Sequence, residues 1–258
     1  MTTNVLKFIG RVIPEISDVS FQSGAKVLWD IDAATRTCVQ FEVVIEHSVV
    51  TVSCEYQGDI RQEHVDAMYI RAVDLTRANV DLLSFSTGLG LVVVLDHVID
   101  RAGSKSAIWP QDSTLAPICT AYSMAGPLSQ DFLGVARFVM EDPAIFMALN
   151  DLVTAISQAH CAPVNCARAV EGLRHLIAPG LGREKQWAAM RDALRLEKSY
   201  LQPIMDNSTP GRHGNRAHVS GPVVRDIVQR SWTIMNRFFE YKKRGNAPLP
   251  QPEFSTLS

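Results

Sequence analysis

Val39-Gln40-Phe41-Glu42-Val43-Val44-Ile45-Glu46 alternates apolar and polar side chains, and after His47-Ser48 a second run, residues 49–56, is rich in β-branched residues. A period of two puts Val39, Phe41, Val43 and Ile45 on one face and Gln40, Glu42 and Glu46 largely on the other, as in a half-buried strand. The second run reads as the return arm of a hairpin. Working outward, residues 25–31 can supply a third strand. Gly58-Asp59 then breaks the pattern, and Val65, Met68, Ala72, Leu75, Asn79 and Leu82 recur at the spacing of one helix face.

Gly88-Leu89-Gly90 follows that helix. A dinucleotide-binding loop needs a strand before its glycines, a helix after them and a third glycine for close approach to pyrophosphate. Here the order is reversed and the third glycine is missing, so the pair reads as a helix-to-strand turn. Residues 91–99 fit a buried strand or a buried helix, which periodicity cannot separate. Residues 101–130, with Pro110, Pro117, Gly126 and Pro127, are loop-rich and mark a boundary region. The first part of the chain, taken as residues 1–128, is therefore expected to be an α+β domain with a small antiparallel sheet.

From about residue 129 the pattern becomes helical. Asp142-Pro143 offers an N-cap followed by proline at the first helical position, opening a helix to about His160. Further helices are expected over residues 165–177, 183–195 and 197–205, with a last one from Gly221-Pro222 to Arg244. Helices joined by short breakers form a bundle, here residues 129–244. On the last helix Val224, Ile227, Ser231, Ile234 and Phe238 make one apolar stripe, and Val228, Trp232, Met235 and Phe239 a second beside it. So wide a face belongs either at the centre of a bundle or in a subunit interface, and a homodimer through this helix is expected. Arg225, Arg230 and Arg237 fall on the remaining polar side. Residues 245–258, with Pro248, Pro250 and Pro252, read as an extended tail.

The 258 residues are 47% hydrophobic and carry a net charge of −2. That small total conceals an asymmetry, since residues 1–160 sum to −9 and residues 195–245 to +6. A local positive field favours anionic partners such as phosphate, nucleic acid or an acidic protein surface. Five cysteines without regular spacing argue against a disulfide framework and fit a reducing compartment. No segment has the length of a membrane span or the form of a signal peptide, so a cytoplasmic protein off the membrane is expected. His160, Cys161, Cys166 and His175 lack zinc-site spacing, and no metal or cofactor is expected. Asp96-His97 and His64-x-Asp66 read as ordinary surface pairs, and Asn207-Ser208-Thr209 as turn chemistry.

The basic region contains Pro210-Gly211-Arg212-His213-Gly214-Asn215-Arg216-Ala217-His218, two arginines and two histidines in the connection to the last helix. Unpaired N–H groups and the dipole at a helix N-terminus favour an anion there. Arg212 and Arg216 supply forked donors that match phosphate, with Asn215 and Arg225 as further anion or RNA contacts. His213 and His218 can exchange protons with a substrate, as cleavage of a phosphodiester by its own 2′-hydroxyl requires.

Arg212, five intervening residues and His218, in a helical second half, resemble the HEPN superfamily, whose hallmark is an arginine followed four to six residues later by histidine. His213 stands where the family usually places a polar residue. Cys166-Ala167-Arg168-Ala169-Val170-Glu171-Gly172-Leu173 resembles the family's second core helix, in which an acidic residue can face the motif. The resemblance covers roughly residues 142–244. It implies a metal-independent endoribonuclease, often a toxin or antiviral defence effector, with Arg212 holding the scissile phosphate and His218 as general acid or base. It further implies that His213 assists, that Glu171 orients one of them, that members pair, and that an antitoxin or other protein partner exists. A noncatalytic member would use the same basic loop to bind nucleic acid or a protein. Gly214 and Gly221-Pro222 place His218 in a loop before the last helix, whereas active members hold the motif at or within a helix.

Overall fold

The computed structural model describes residues 3–22, 26–32, 37–122, 130–212 and 219–258. The chain divides into two compact units, Met1–Trp109 and Pro110–Ser258. The first is built on strands β1 (Thr3–Ile13), β2 (Phe21–Gln22), β3 (Val27–Asp32), β4 (Thr37–Glu46), β5 (Val49–Gln57), β6 (Val92–Ile99) and β7 (Lys105–Ala107), with one helix, α1 (Gln62–Thr87). The strands form one antiparallel sheet in the order β2-β4-β5-β1-β6-β7, and β3 joins the same edge of β4 as β2.

The alternation in β4 sorts as its sequence demands, with Val39, Phe41, Val43 and Ile45 all buried and Glu46 at the solvent. They pack with Leu6, Phe8 and Val12 of β1 and Val50, Val52 and Cys54 of β5 against Met68, Tyr69, Ala72 and Val80 of α1. The helix presents a slightly rotated face. Thr76 and Val80 are inside, while Leu82 is 67% exposed. Gly88 caps α1 in the left-handed conformation (φ 71°), its N–H bonding to Ser84 O at 2.8 Å, and the chain enters β6 at once. The Gly-x-Gly is therefore a helix-to-strand turn, and the ambiguous run after it is a strand.

Two backbone irregularities lie along β1. Ile9 pairs with His97 but Gly10 with Leu95, so Asp96 is an extra residue bulged out of β6. A Cβ at Gly10 would stand 1.9 Å from Val94 O, which only glycine avoids. The β4–β5 hairpin closes through His47 (φ 48°) and Ser48 (φ 63°), both left-handed without being glycine. Ser48 is held in that state by its surroundings. Its N–H bonds to Val19 O at 2.7 Å, its Oγ accepts from Val19 N at 3.0 Å and its carbonyl accepts from Val12 N at 2.8 Å.

The second unit contains α2 (Leu115–Ala121), α3 (Gln130–Glu141), α4 (Pro143–Ser157), α5 (Ala162–Ile177), α6 (Arg183–Leu194), α7 (Lys198–Arg212) and α8 (Gly221–Lys243). Asp142 caps α4 as its sequence predicts, accepting from Ala144 N at 2.9 Å. The division falls after Trp109 rather than at residue 128, because Leu115 of the supposed linker is buried and α2 packs on α8. The last helix is the hub. It touches every other helix of its unit, and Ile227, Val228, Ile234, Met235, Phe238 and Phe239 are buried there. The wide apolar face expected to pair two subunits is thus consumed within the chain.

Arg237 corrects the expectation of a polar side on α8. It is 3% exposed and donates from Nη1 to Leu194 O and Arg195 O (both 2.9 Å), from Nη2 to Ser255 O (2.8 Å) and from Nε to the Tyr122 hydroxyl (3.1 Å). A guanidinium at the end of α6 satisfies carbonyls that the helix leaves unpaired and sits where the helix dipole favours positive charge. The tail, expected to be extended, docks instead. Leu249 is buried, with its N–H on Ala193 O at 2.9 Å, and Leu257 forms a bridge to Leu196. Arg237→Ala is expected to lower the unfolding free energy in urea by about 3–5 kcal/mol, the range for removing one member of a buried polar set. Lysine, a single point donor, should recover only part of the loss.

Of the five cysteines, Cys54 and Cys166 are buried and Cys38 is exposed. Burial alone pushes the Cys54 thiol far up, and burial, only partly offset by a hydrogen bond with Ser231, takes Cys166 up to about 12. With a negligible thiolate fraction at neutral pH, both should resist a disulfide reagent until urea unfolds their units, whereas Cys38 should react at once.

Candidate functional site

Arg212 occupies the last position of α7, which runs on to residue 212 where the sequence predicts an end at 205. Pro203 and Pro210 lie inside that helix, and Asn207, Ser208 and Thr209 turn their side chains back onto carbonyls of the preceding turn. The triplet read as a turn is thus helical, its polar groups satisfied along the helix. The end of α7 rests closely on α5, since a Cβ at Gly211 would meet Val164 Cγ2 at 3.0 Å. That proximity brings Arg212 within reach of α5.

Arg212 donates from Nη1 to Glu171 Oε2 at 2.7 Å and from Nη2 to Ser208 Oγ at 2.8 Å. Glu171, on α5, is approached from its other oxygen by Arg183 Nη2 of α6 at 4.0 Å. A guanidinium has five N–H donors, and among the described residues two of those of Arg212 are engaged, which orients it. The pairing of Glu171 with Arg212 is the contact that a motif-facing acid would make. His213, Asn215, Arg216 and His218 lie outside the described residues. Arg225 is exposed near the start of α8, and no hydrogen bond or ion pair joins it to Arg212 among the described residues.

Arg174 is the residue that sequence reasoning missed. One turn along α5 from Glu171, it is 5% exposed and its guanidinium lies 4.6 Å over the Trp187 ring. It donates from Nη2 to His175 Nε2 at 2.9 Å, but its Nε and Nη1 meet no hydrogen-bond acceptor among the described residues. Burial lowers its pKa, Glu171 works against that shift and Arg183 adds to it. Three arginines from three helices therefore surround one carboxylate, an excess of positive charge that suits an anion. The only signal in the sequence was helical spacing, Glu171 and Arg174 sharing one face.

Beside this group α6 and α7 leave a groove of about 510 Å³, lined by Arg183, Trp187, Arg191, Lys198, Gln202 and Arg212. Among the described residues no group of three or more His, Cys, Asp or Glu is placed to hold a metal ion. No described helix is long and apolar enough to cross a membrane.

Glu171→Gln removes the charge between the arginines while keeping a hydrogen-bonding side chain. It is expected to lower the unfolding free energy by about 1 kcal/mol, as for a partly exposed ion pair.

No curated protein and no solved structure matches the chain. Residues 6–109 match the family model described as the N-terminal domain, and residues 134–243 the one described as the C-terminal domain, of a domain of unknown function, DUF8168.

Proposed function

We propose that the helical unit is a metal-independent endoribonuclease of HEPN type. The observation that carries the reading is the Glu171–Arg212 pair, which joins an acid of one core helix to the arginine of the motif at 2.7 Å. Arg212 grips the scissile phosphate with the donors that Glu171 and Ser208 leave over. His218 and His213 supply the base that takes the 2′-hydroxyl proton and the acid that protonates the departing 5′-oxygen. The 2′-oxygen bonds to phosphorus as the 5′-oxygen leaves, giving a 2′,3′-cyclic phosphate and a 5′-hydroxyl. Glu171 fixes the angle of Arg212, and such orientation accounts for much of an enzyme's rate advantage. As a toxin or defence effector, the protein would arrest growth on induced expression, and His218→Ala would relieve the arrest.

The cationic groove favours a second reading, in which the same face binds RNA without cutting it. Successive cations track a sugar-phosphate backbone, and Trp187 offers a ring near it. Incubation with mixed RNA in excess chelator separates the two. Cleavage to cyclic-phosphate ends, lost by at least about 100-fold in both Arg212→Ala and His218→Ala, is the expected result for catalysis. Cleavage unchanged in both variants removes the enzyme. Salt-sensitive binding without cleavage, weakened by Arg212→Ala and Arg216→Ala, leaves the binding protein.

A further inference from the structure

The groove between α6 and α7 is cationic at both ends and apolar between them. At the end beside Glu171 it is lined by Arg183 and Arg212, and at the end where the two helices are joined by Arg191 and Lys198. Trp187, Leu201 and Met205 line the stretch between. On α7 the lining positions 198, 201, 205, 209 and 212 recur at intervals of three and four, so one face of that helix follows the groove from its first residue to its last. At 1.5 Å per residue, Lys198 and Arg212 are about 21 Å apart along the helix.

Lys198 opens α7, where the helix dipole favours negative charge, and the first turn holds no acidic residue. Its side chain is exposed, and neither it nor that of Arg191 makes a hydrogen bond or ion pair among the described residues. A cation set where it weakens its own helix, and left unpaired, is available to a ligand. Two carboxylates, Glu184 and Asp206, also line the groove, and Asp206 accepts from Gln202 Nε2 at 3.1 Å. The four cations exceed them. Trp187 is held by the buried Arg174 guanidinium, so its ring is ordered before any ligand arrives.

This layout selects among anions. A lone phosphate or a mononucleotide would engage one cationic end and leave the other idle. An acidic peptide could meet both ends but brings no planar base to Trp187, and a duplex turns its bases inward, out of reach of that ring. A single strand offers both, repeated phosphates and free base faces. With phosphates about 3.4 Å apart when stacked and farther apart when stretched, about four to six nucleotides span the groove. We infer that the α6–α7 groove is the track of a single RNA strand, with one phosphate at Arg183 and Arg212, a base on Trp187 and a distal phosphate at Arg191 and Lys198. The inference rests on the reading that Arg212 takes an RNA phosphate, and it adds a distal site outside the motif.

The test uses 2′-O-methyl oligoribonucleotides, which cannot be cleaved through the 2′-oxygen, so binding is read apart from catalysis. Unlabelled strands of two, four, six and eight residues displace a labelled octamer from the full chain, followed by fluorescence anisotropy. Affinity should rise to the hexamer and change little beyond it. Lys198→Ala and Arg191→Gln should each weaken the hexamer by about threefold to tenfold and flatten its logarithmic salt slope by about 0.7, while leaving the dimer unchanged. Lys198→Ala removes a side chain that the dipole disfavours, so α7 is kept. Arg212→Ala should weaken every length, and a hexamer abasic at its middle positions should bind about fivefold or more weakly. The distal site is overturned if the dimer binds as tightly as the hexamer or if both distal variants bind like the parent. Full affinity of the abasic strand overturns the base site. In each of those cases, weakening by Arg212→Ala leaves the proposed function standing. A duplex binding as tightly, or hexaglutamate displacing the octamer as well as the hexamer does, overturns the single-strand assignment. No binding of any length at low salt overturns the track and the reading beneath it together.

Discussion

The helical unit is organised around one buried guanidinium. Arg237 gathers the C-terminal carbonyls of α6, the Tyr122 hydroxyl at the end of α2 and the tail carbonyl of Ser255. Removing a cation from water costs several kcal/mol, and the cost is offset only when its donors find acceptors, as those of Arg237 do through four hydrogen bonds. That requirement fixes where α6 ends, through the left-handed Arg195, and where the chain must return after α8. With α6 held at its C-terminal end, its N-terminal turns carry Arg183, Gln186 and Trp187 to the arginine group. The candidate site therefore depends on a contact at the opposite end of the helix from its own residues.

Within the site, the contrast between two buried arginines is informative. Arg237 matches its donors with neutral carbonyls and a phenol, and it serves structure. Arg174 stacks on Trp187 and, among the described residues, leaves two nitrogens, Nε and Nη1, unmatched beside a second and a third arginine. Structural economy favours the first arrangement, so the second is the kind of departure expected where a charge is kept for a ligand. The N-terminal unit departs from regularity in a different way, through backbone geometry. Gly10 allows the close approach, the bulge re-aims Asp96, and Ser48 is tethered on three sides beside His47.

Much of the fold was legible because it rests on local rules. The β4–β5 hairpin, α1, the Asp142 cap and the starts of α6 and α8 follow from periodicity, capping and proline placement. The central strand β1 escaped notice although Leu6, Phe8 and Val12 alternate at strand period, since Gly10 leaves a gap in its middle. The docked tail escaped for the opposite reason. Three prolines in fourteen residues suggest extension, and the burial of Leu249 is a tertiary fact. Of the site, Glu171 and Arg212 were marked by motif context, whereas Arg174 and the Asp96–His97 pair were not. A charged residue on a helix reads as solvated until its neighbours are known, and an adjacent Asp-His reads as an ordinary surface pair until a bulge is seen.

By itself the sequence determined the β4–β5 hairpin and the helix after it, the helical second part, the split between an acidic first part and a basic second, and the residue types able to grip phosphate or move protons. These are properties of near neighbours, set by side-chain period, turn stereochemistry and formal charge. Only the tertiary structure decided that the wide face of α8 is spent inside one chain, that Arg237 is a buried strut, and that Arg174 and Arg183 join Arg212 around Glu171. It alone decided, too, that His47 and His97, each held by an aspartate at Nδ1, line one pocket. The physical reason is common to all four: burial and pairing depend on which distant segments meet, and no local period records that meeting.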